Sequence, residues 1–197
     1  MLTKLAVDVT PAQPAWGING EGWCTQAQMI ASPNFGSRPS HTDIAMLVIH
    51  NISLPMGKFG TPYISQLFQN VLDYDAHPSF ASLKGIRLSS HFLIRRDGQL
   101  IQFVSCRERA WHAGLSSFEG RDDCNNYSTG IELEGTDDTP FEPAQYQSLQ
   151  RLSESLIAAY PITHIVGHQE IAPGRKTDPG PCFDWVRYRN GLGGSWI

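Results

Sequence analysis

Residues 167–181, GHQEIAPGRKTDPGP, hold three side chains able to do chemistry: His168, Lys176 and Asp178. Pro173, Gly174, Pro179, Gly180 and Pro181 bar a continuous helix or strand through them, so a rigid loop is expected. Such a loop can turn an imidazole and a carboxylate onto one point. Those groups can be two of the three protein ligands of a catalytic zinc, with water in the fourth position. The same residues also fit a polar surface loop stiffened by prolines. The choice depends on whether the chain supplies a third ligand and a base.

The elements that would position such groups can be read from the apolar pattern. Ile44–His50 (IAMLVIH) predicts a strand buried on both faces, ending in His50-Asn51. Ile162–Val166 predicts a last strand that feeds directly into Gly167-His168, so both imidazoles can lie at one edge of the same sheet. Thr129–Glu134 (TGIELE) alternates, with Glu132 and Glu134 on one face and Ile131 and Leu133 on the other. Either carboxylate could serve as base, and a solvated pair is the simplest reading of the pattern alone. Lys176 could steady a developing oxyanion. His41, His77 and His164 read as surface or hydrogen-bonded residues, and His91 as a satisfied core histidine or one that supports a ligand. His112 reads equally well as support for a ligand or as a substrate contact.

Other stretches complete the scaffold. Residues 91–96 and 99–104 flank Asp97-Gly98 and predict a hairpin. Pro62 and Pro143 open two amphipathic helices, the first with Ile64, Leu67, Phe68, Val71 and Leu72 at helical spacing, the second with Tyr146, Leu149, Leu152, Leu156, Ile157 and Tyr160 on one stripe. A short helix is expected near Trp23–Ile30. Residues 105–128 show no period and suggest a binding loop. Strands alternating with helices, plus one hairpin, predict a single α/β domain. We expect a central mixed β-sheet flanked by helices, with the zinc site at one edge of the sheet.

Composition narrows the function classes. The 197 residues include 41% hydrophobic and 17% charged, which suits one ordinary globular domain. A formal charge of −4 supplies no broad basic field, so nucleic acid is not an expected partner. The opening MLTKLAVDVTPAQPAWG has no sustained apolar run, so neither an export signal nor a membrane span is expected. Cys24, Cys106, Cys124 and Cys182 form no paired motif, and free thiols in the cytoplasm are the expectation. Cys182 reads more readily as a small buried thiol than as a metal ligand.

Five blocks in order carry a resemblance: VIHN at 48–51, SSHFLIRRDG at 89–98, AWHAG at 110–114, STGIELEG at 128–135 and GHQEIAPGRKTDPGP at 167–181. From about Trp23 to Arg189 the chain resembles the zinc-dependent N-acetylmuramoyl-L-alanine amidases, and within them the cytoplasmic amidases of cell-wall recycling. The resemblance implies Zn²⁺ held by His50, His168 and Asp178, with Glu132 handling the proton of the attacking water and Lys176 stabilising the oxyanion. It implies substrate contacts at Asn51, Arg87 and Trp111. The substrate it implies is a small anhydro-muropeptide, cut between the lactyl group of 1,6-anhydro-N-acetylmuramic acid and L-alanine. A leader at 1–22, a catalytic domain at 23–190 and a tail at 191–197 are expected, in a monomer. One departure is that Asp122-Asp123 precede Cys124 where the family often has a basic residue. An exported or phage-type amidase, and a binding module that does not cut, are the rival readings.

Overall fold

The computed structural model describes residues 16–192. In chain order the elements are β1 (Gln28–Met29), β2 (Phe35–Ser37), β3 (Met46–Ile52), α1 (Tyr63–Phe68), β4 (Phe92–Ile94), β5 (Leu100–Gln102) and β6 (Glu108–Ala110). There follow β7 (Ser117–Phe118), β8 (Arg121–Asp122), β9 (Ser128–Glu134), α2 (Pro143–Ala159), β10 (His164–Gly167), α3 (His168–Ile171) and α4 (Trp185–Gly191). A single α/β domain results, built on a six-stranded sheet in the order β1-β5-β4-β9-β3-β10. The sheet is mixed: β10, β3, β9 and β4 run parallel, and β5 is antiparallel to β4.

Two-residue periodicity sorts the strand side chains between the faces. Leu47, Ile49, Phe92, Ile94, Ile131 and Leu133 pack under Leu149, Leu152 and Leu156 of α2. Each fully buried leucine of that stripe contributes about 1.5–3 kcal/mol relative to exposure. Pro143 occupies the first turn of α2, where its missing N–H costs no bond. Gln145 anchors that turn: its Oε1 accepts from Glu142 N at 3.0 Å, and its amide donates to the Glu134 carbonyl at 3.0 Å. On the opposite face, Leu93 and Ile101 meet Ile64, Leu67 and Phe68 of α1. Met46, Val48 and Val166 meet Cys124 and Tyr127 there.

Local pattern and structure part company in four places. The helix expected near Trp23–Ile30 is absent; its backbone is used by the β5 edge, where β1 pairs with Ile101 and Gln102. The Gln102 side chain also accepts from Cys24 N at 2.7 Å. Tertiary hydrogen bonding thus overrides a weak helical periodicity. Helix α1 stops at Phe68, short of Val71 and Leu72, because Asn70 takes a left-handed φ of 61°. Residues 105–128 are more ordered than their pattern suggests, containing β6 (paired with β2), the β7–β8 hairpin and a 3₁₀ turn at Cys124–Asn126. All seven residues of β9 are buried, so Glu132 and Glu134 do not form a solvated pair. Of the expected leader, residues 1–15 lie outside the described residues, while Trp16 and Ile18 pack on the core. Helix α4 closes the described chain at Trp185–Gly191; of the expected tail, residues 193–197 lie outside the described residues.

Candidate metal centre

Parallel pairing brings the candidate groups to one end of the sheet. Gly167 pairs with Ile49, so His168 emerges just past the end of β10, beside His50 of β3. His50 is itself in register with Glu132 of β9, which places the two side chains on one face. The loop after α3 then returns Asp178, whose carbonyl accepts from Gln169 N at 3.0 Å.

Three donor atoms converge there. His50 Nδ1 and His168 Nδ1 are 3.0 Å apart, and each is 3.0 Å from Asp178 Oδ2. Among the described residues this is the cluster able to hold a metal ion. At that spacing one ion can touch all three at the roughly 2.0–2.2 Å bonds that imidazole and carboxylate make to zinc. Burial pushes His50 down to about 4 despite its hydrogen bond with Asp178, so its imidazole is neutral. Burial alone would raise the Asp178 carboxyl, but hydrogen bonds with His168 and His50 outweigh it and hold it below the usual range. A neutral imidazole and an ionised carboxylate are the states that ligate a cation.

The ring nitrogens facing away from this point are occupied. His168 Nε2–H donates to the Ala113 carbonyl at 3.0 Å. His50 Nε2–H donates to His112 Nδ1 at 2.9 Å, and His112 Nε2–H donates to Ser128 Oγ at 3.1 Å. Both candidate ligands are therefore fixed as tautomers with a free lone pair on Nδ1. His112 is neutral, since burial and then the neighbouring His50 and His91 push it well below the usual histidine range. His112 thus braces His50. His91 is a satisfied core histidine: its Nδ1 accepts from Gly130 N at 3.0 Å and its Nε2 lies 3.0 Å from the Glu108 carbonyl.

Gly130 makes the brace possible. A Cβ there would lie 2.4 Å from Cγ of His112, closer than real contacts allow. Glycine within a strand often marks such an approach. Gly130→Ala should displace the His112 ring and weaken metal affinity by about 10–100-fold, the usual cost of losing an outer support. Chelator competition on the folded protein measures this, and an unchanged affinity would show that His112 does not orient His50.

The partners of the two carboxylates distinguish them. Glu134 accepts from Gly60 N at 2.7 Å and Arg95 Nη1 at 3.3 Å. Glu132 Oε2 is buried with no hydrogen-bond partner among the described residues. Burial first, then the Asp178 charge, pushes the Glu132 carboxyl well above its ordinary value, and Lys176 acts in the opposite direction. One carboxylate is committed to the scaffold; the other has an open acceptor beside the cluster.

Lys176 is exposed and lines a cleft of about 610 Å³ together with Asn51, Asp137 and Asp178. Asn51 also ties the loop down, donating to Asp137 Oδ1 at 2.7 Å and to the Pro179 carbonyl at 3.1 Å. Arg87 is exposed between Leu83 and Leu88, both of which line that cleft. Trp111 is half-buried with its indole nitrogen toward Gly36, and it is not among the residues lining that cleft. Cys182 stands apart from the cluster, as a free, half-buried thiol. Sequence reasoning missed Arg175, which donates to the Ala113 carbonyl at 2.7 Å and so shares the acceptor of His168. It also missed Asp137, which holds Asn51. Nothing in the pattern flags either residue, because each acts through backbone or loop contacts remote in sequence.

Residues 40–181 match the family model described as N-acetylmuramoyl-L-alanine amidase. The 1,6-anhydro-N-acetylmuramyl-L-alanine amidase AmpD of Citrobacter freundii is 51% identical over 171 residues, covering 86% of this chain and 91% of that relative. The crystal structure of a selenomethionine AmpD derivative superposes with a TM-score of 0.86 at 50% identity, covering 87% of this chain and 97% of that one. The Escherichia coli amidase AmiD, in complex with the substrate anhydro-N-acetylmuramic acid-L-Ala-D-gamma-Glu-L-Lys, aligns with a TM-score of 0.57 at 33% identity, covering 91% of this chain and 66% of that one. Identity of this extent, on a shared fold and with the family match spanning the clustered residues, has one reading: the chain belongs to the N-acetylmuramoyl-L-alanine amidase family.

Proposed function

We propose that the chain hydrolyses the amide between the lactyl group of 1,6-anhydro-N-acetylmuramic acid and L-alanine in soluble muropeptides, as a cytoplasmic enzyme of peptidoglycan recycling that uses Zn²⁺. The observation that carries this reading is the convergence of His50 Nδ1, His168 Nδ1 and Asp178 Oδ2 at 3.0 Å, beside the unpartnered Glu132. Two imidazoles and one carboxylate are a donor set suited to zinc. The substrate follows from the AmpD relatives and from the muropeptide named in the AmiD complex.

Bound at the three donors, Zn²⁺ would supply Lewis acidity toward the scissile carbonyl and acidify its water. Glu132 Oε2 accepts a proton from the attacking water and delivers it to the leaving nitrogen of L-alanine, so that a carboxylate and an amine leave the site. Lys176 Nζ donates to the carbonyl oxygen as charge grows on it. Asn51 holds the Pro179 backbone and with it the direction of Asp178. Of the substrate contacts expected from sequence, Arg87, next to Leu88 of the cleft, suits a peptide carboxylate; Trp111 would suit a sugar face only for a substrate that extends beyond that cleft.

Mass spectrometry of products from a defined anhydro-muropeptide tests the reading. The expected products are the free anhydro-sugar acid and an intact stem peptide, lost on chelation and restored by Zn²⁺. Cleavage inside the peptide, or full activity in chelator, overturns it. Preference for intact sacculi over the soluble substrate would favour a wall-degrading role instead.

A further inference from the structure

We infer that Arg38 is a positioning residue for the metal centre, acting through the 3₁₀ turn at Cys124–Asn126 on both histidines at once. The inference rests on reading His50, His168 and Asp178 as a metal site.

Arg38 lies just outside the residues 40–181 matched by the family model, and no pattern in the sequence singles it out. Its guanidinium nevertheless points inward, and burial pushes its pKa down to about 10. It makes no ion pair among the described residues. A cation desolvated without a carboxylate is costly and needs other partners. Arg38 finds them chiefly in backbone carbonyls, with its Nη2 also 3.1 Å from His91 Nε2. Nη1 donates to Asn125 O at 3.1 Å and Asn126 O at 2.9 Å. Nη2 donates to Ser128 O at 2.8 Å, and Nε to Cys106 O at 3.1 Å. The planar guanidinium thus fixes the path of the chain from 125 to 128, which a flexible ammonium could not do from one position.

Two arms leave that turn. In the first, Ser128 Oγ–H donates to Cys124 O at 2.6 Å, so its oxygen is free to accept from His112 Nε2–H, and His112 Nδ1 accepts from His50. In the second, Asn125 Oδ1 accepts from the backbone N–H groups of His112 at 3.1 Å and Ala113 at 2.9 Å. The Ala113 carbonyl is the acceptor for His168 Nε2–H. One turn therefore sets the ring orientation of both histidines, and Arg38 sets the turn. Strong outer support of this kind governs metal affinity as well as rate.

Wild type, Arg38→Met, Arg38→Lys and Asn125→Ala are stripped of metal and checked for folding by thermal unfolding. Zn²⁺ affinity is then measured by chelator competition, and the visible spectrum of bound Co²⁺ is recorded. Arg38→Met and Asn125→Ala are expected to weaken Zn²⁺ binding about 10–100-fold and to alter the Co²⁺ spectrum. Arg38→Lys, which keeps a cation among the carbonyls, should recover part of the affinity. Folded Arg38→Met with wild-type affinity and spectrum overturns the inference, even if its unfolding temperature is lower. If Arg38→Met does not fold, Asn125→Ala decides, because it cuts the second arm and leaves the guanidinium in place; unchanged affinity there overturns the inference equally. Failure of wild type itself to bind Zn²⁺ sinks the metal-site reading and the inference with it, and is distinguishable from a loss confined to the variants.

Discussion

His168→Ala is expected to abolish metal retention and, with it, hydrolysis. His168 is 3% exposed, its Nε2 is held by the Ala113 carbonyl, and its Nδ1 is 3.0 Å from both His50 Nδ1 and Asp178 Oδ2. The alanine variant leaves one imidazole and one carboxylate, too few for a closed three-ligand set. The loss of affinity should exceed the roughly 10–100-fold that outer-support changes cost. Elemental analysis after dialysis should find near-stoichiometric zinc in wild type and none in the variant. Thermal unfolding gives a second readout: a ligand at 100 times its Kd stabilises the native state by about 2.7 kcal/mol, so added Zn²⁺ should raise the wild-type Tm and leave the variant unmoved. Full zinc retention by the variant would mean that the cluster is not the metal site.

The second large effect is expected at Glu132. Glu132→Gln keeps the shape of the side chain and removes its capacity to take a proton. Zinc content should therefore be unchanged while kcat falls about 10²–10⁴-fold, the usual contribution of a positioned general base. Glu132 is buried beside the ligands, and one of its oxygens has no partner to satisfy it. An acceptor left open in such a place costs stability and is kept where a proton must be received. Glu134 is the matched control. Its carboxylate serves Gly60 N and Arg95, so Glu134→Gln should lower the unfolding temperature more than the rate measured on folded protein. Wild-type kcat in Glu132→Gln would place the base elsewhere.

The two carboxylates also show where sequence stops being informative. Alternation in TGIELE states that Glu132 and Glu134 share a face, and the structure agrees. It cannot state which one meets a guanidinium, because Arg95 and Gly60 come from other parts of the chain. Trp23–Ile30 failed for a related reason: a weak helical period lost to hydrogen bonds offered by Gln102, 78 residues from Cys24. His112 read equally as brace or substrate contact, and only its 2.9 Å contact with His50 separates the two.

Beyond the family resemblance carried by its five ordered blocks, what the sequence alone determined is local: the apolar runs that became β3 and β10, the proline at the start of α2, and the proline–glycine loop that carries Lys176 and Asp178. Each follows from side-chain period or from restricted φ, and neither depends on distant neighbours. The parallel register that sets His50 between His168 and Glu132 was decided only by the tertiary structure. So were the choice of lone pair on each imidazole and the buried guanidinium of Arg38 behind them. These depend on atoms far apart in the chain meeting at hydrogen-bond distance, and such contacts are settled by packing, which no local pattern encodes.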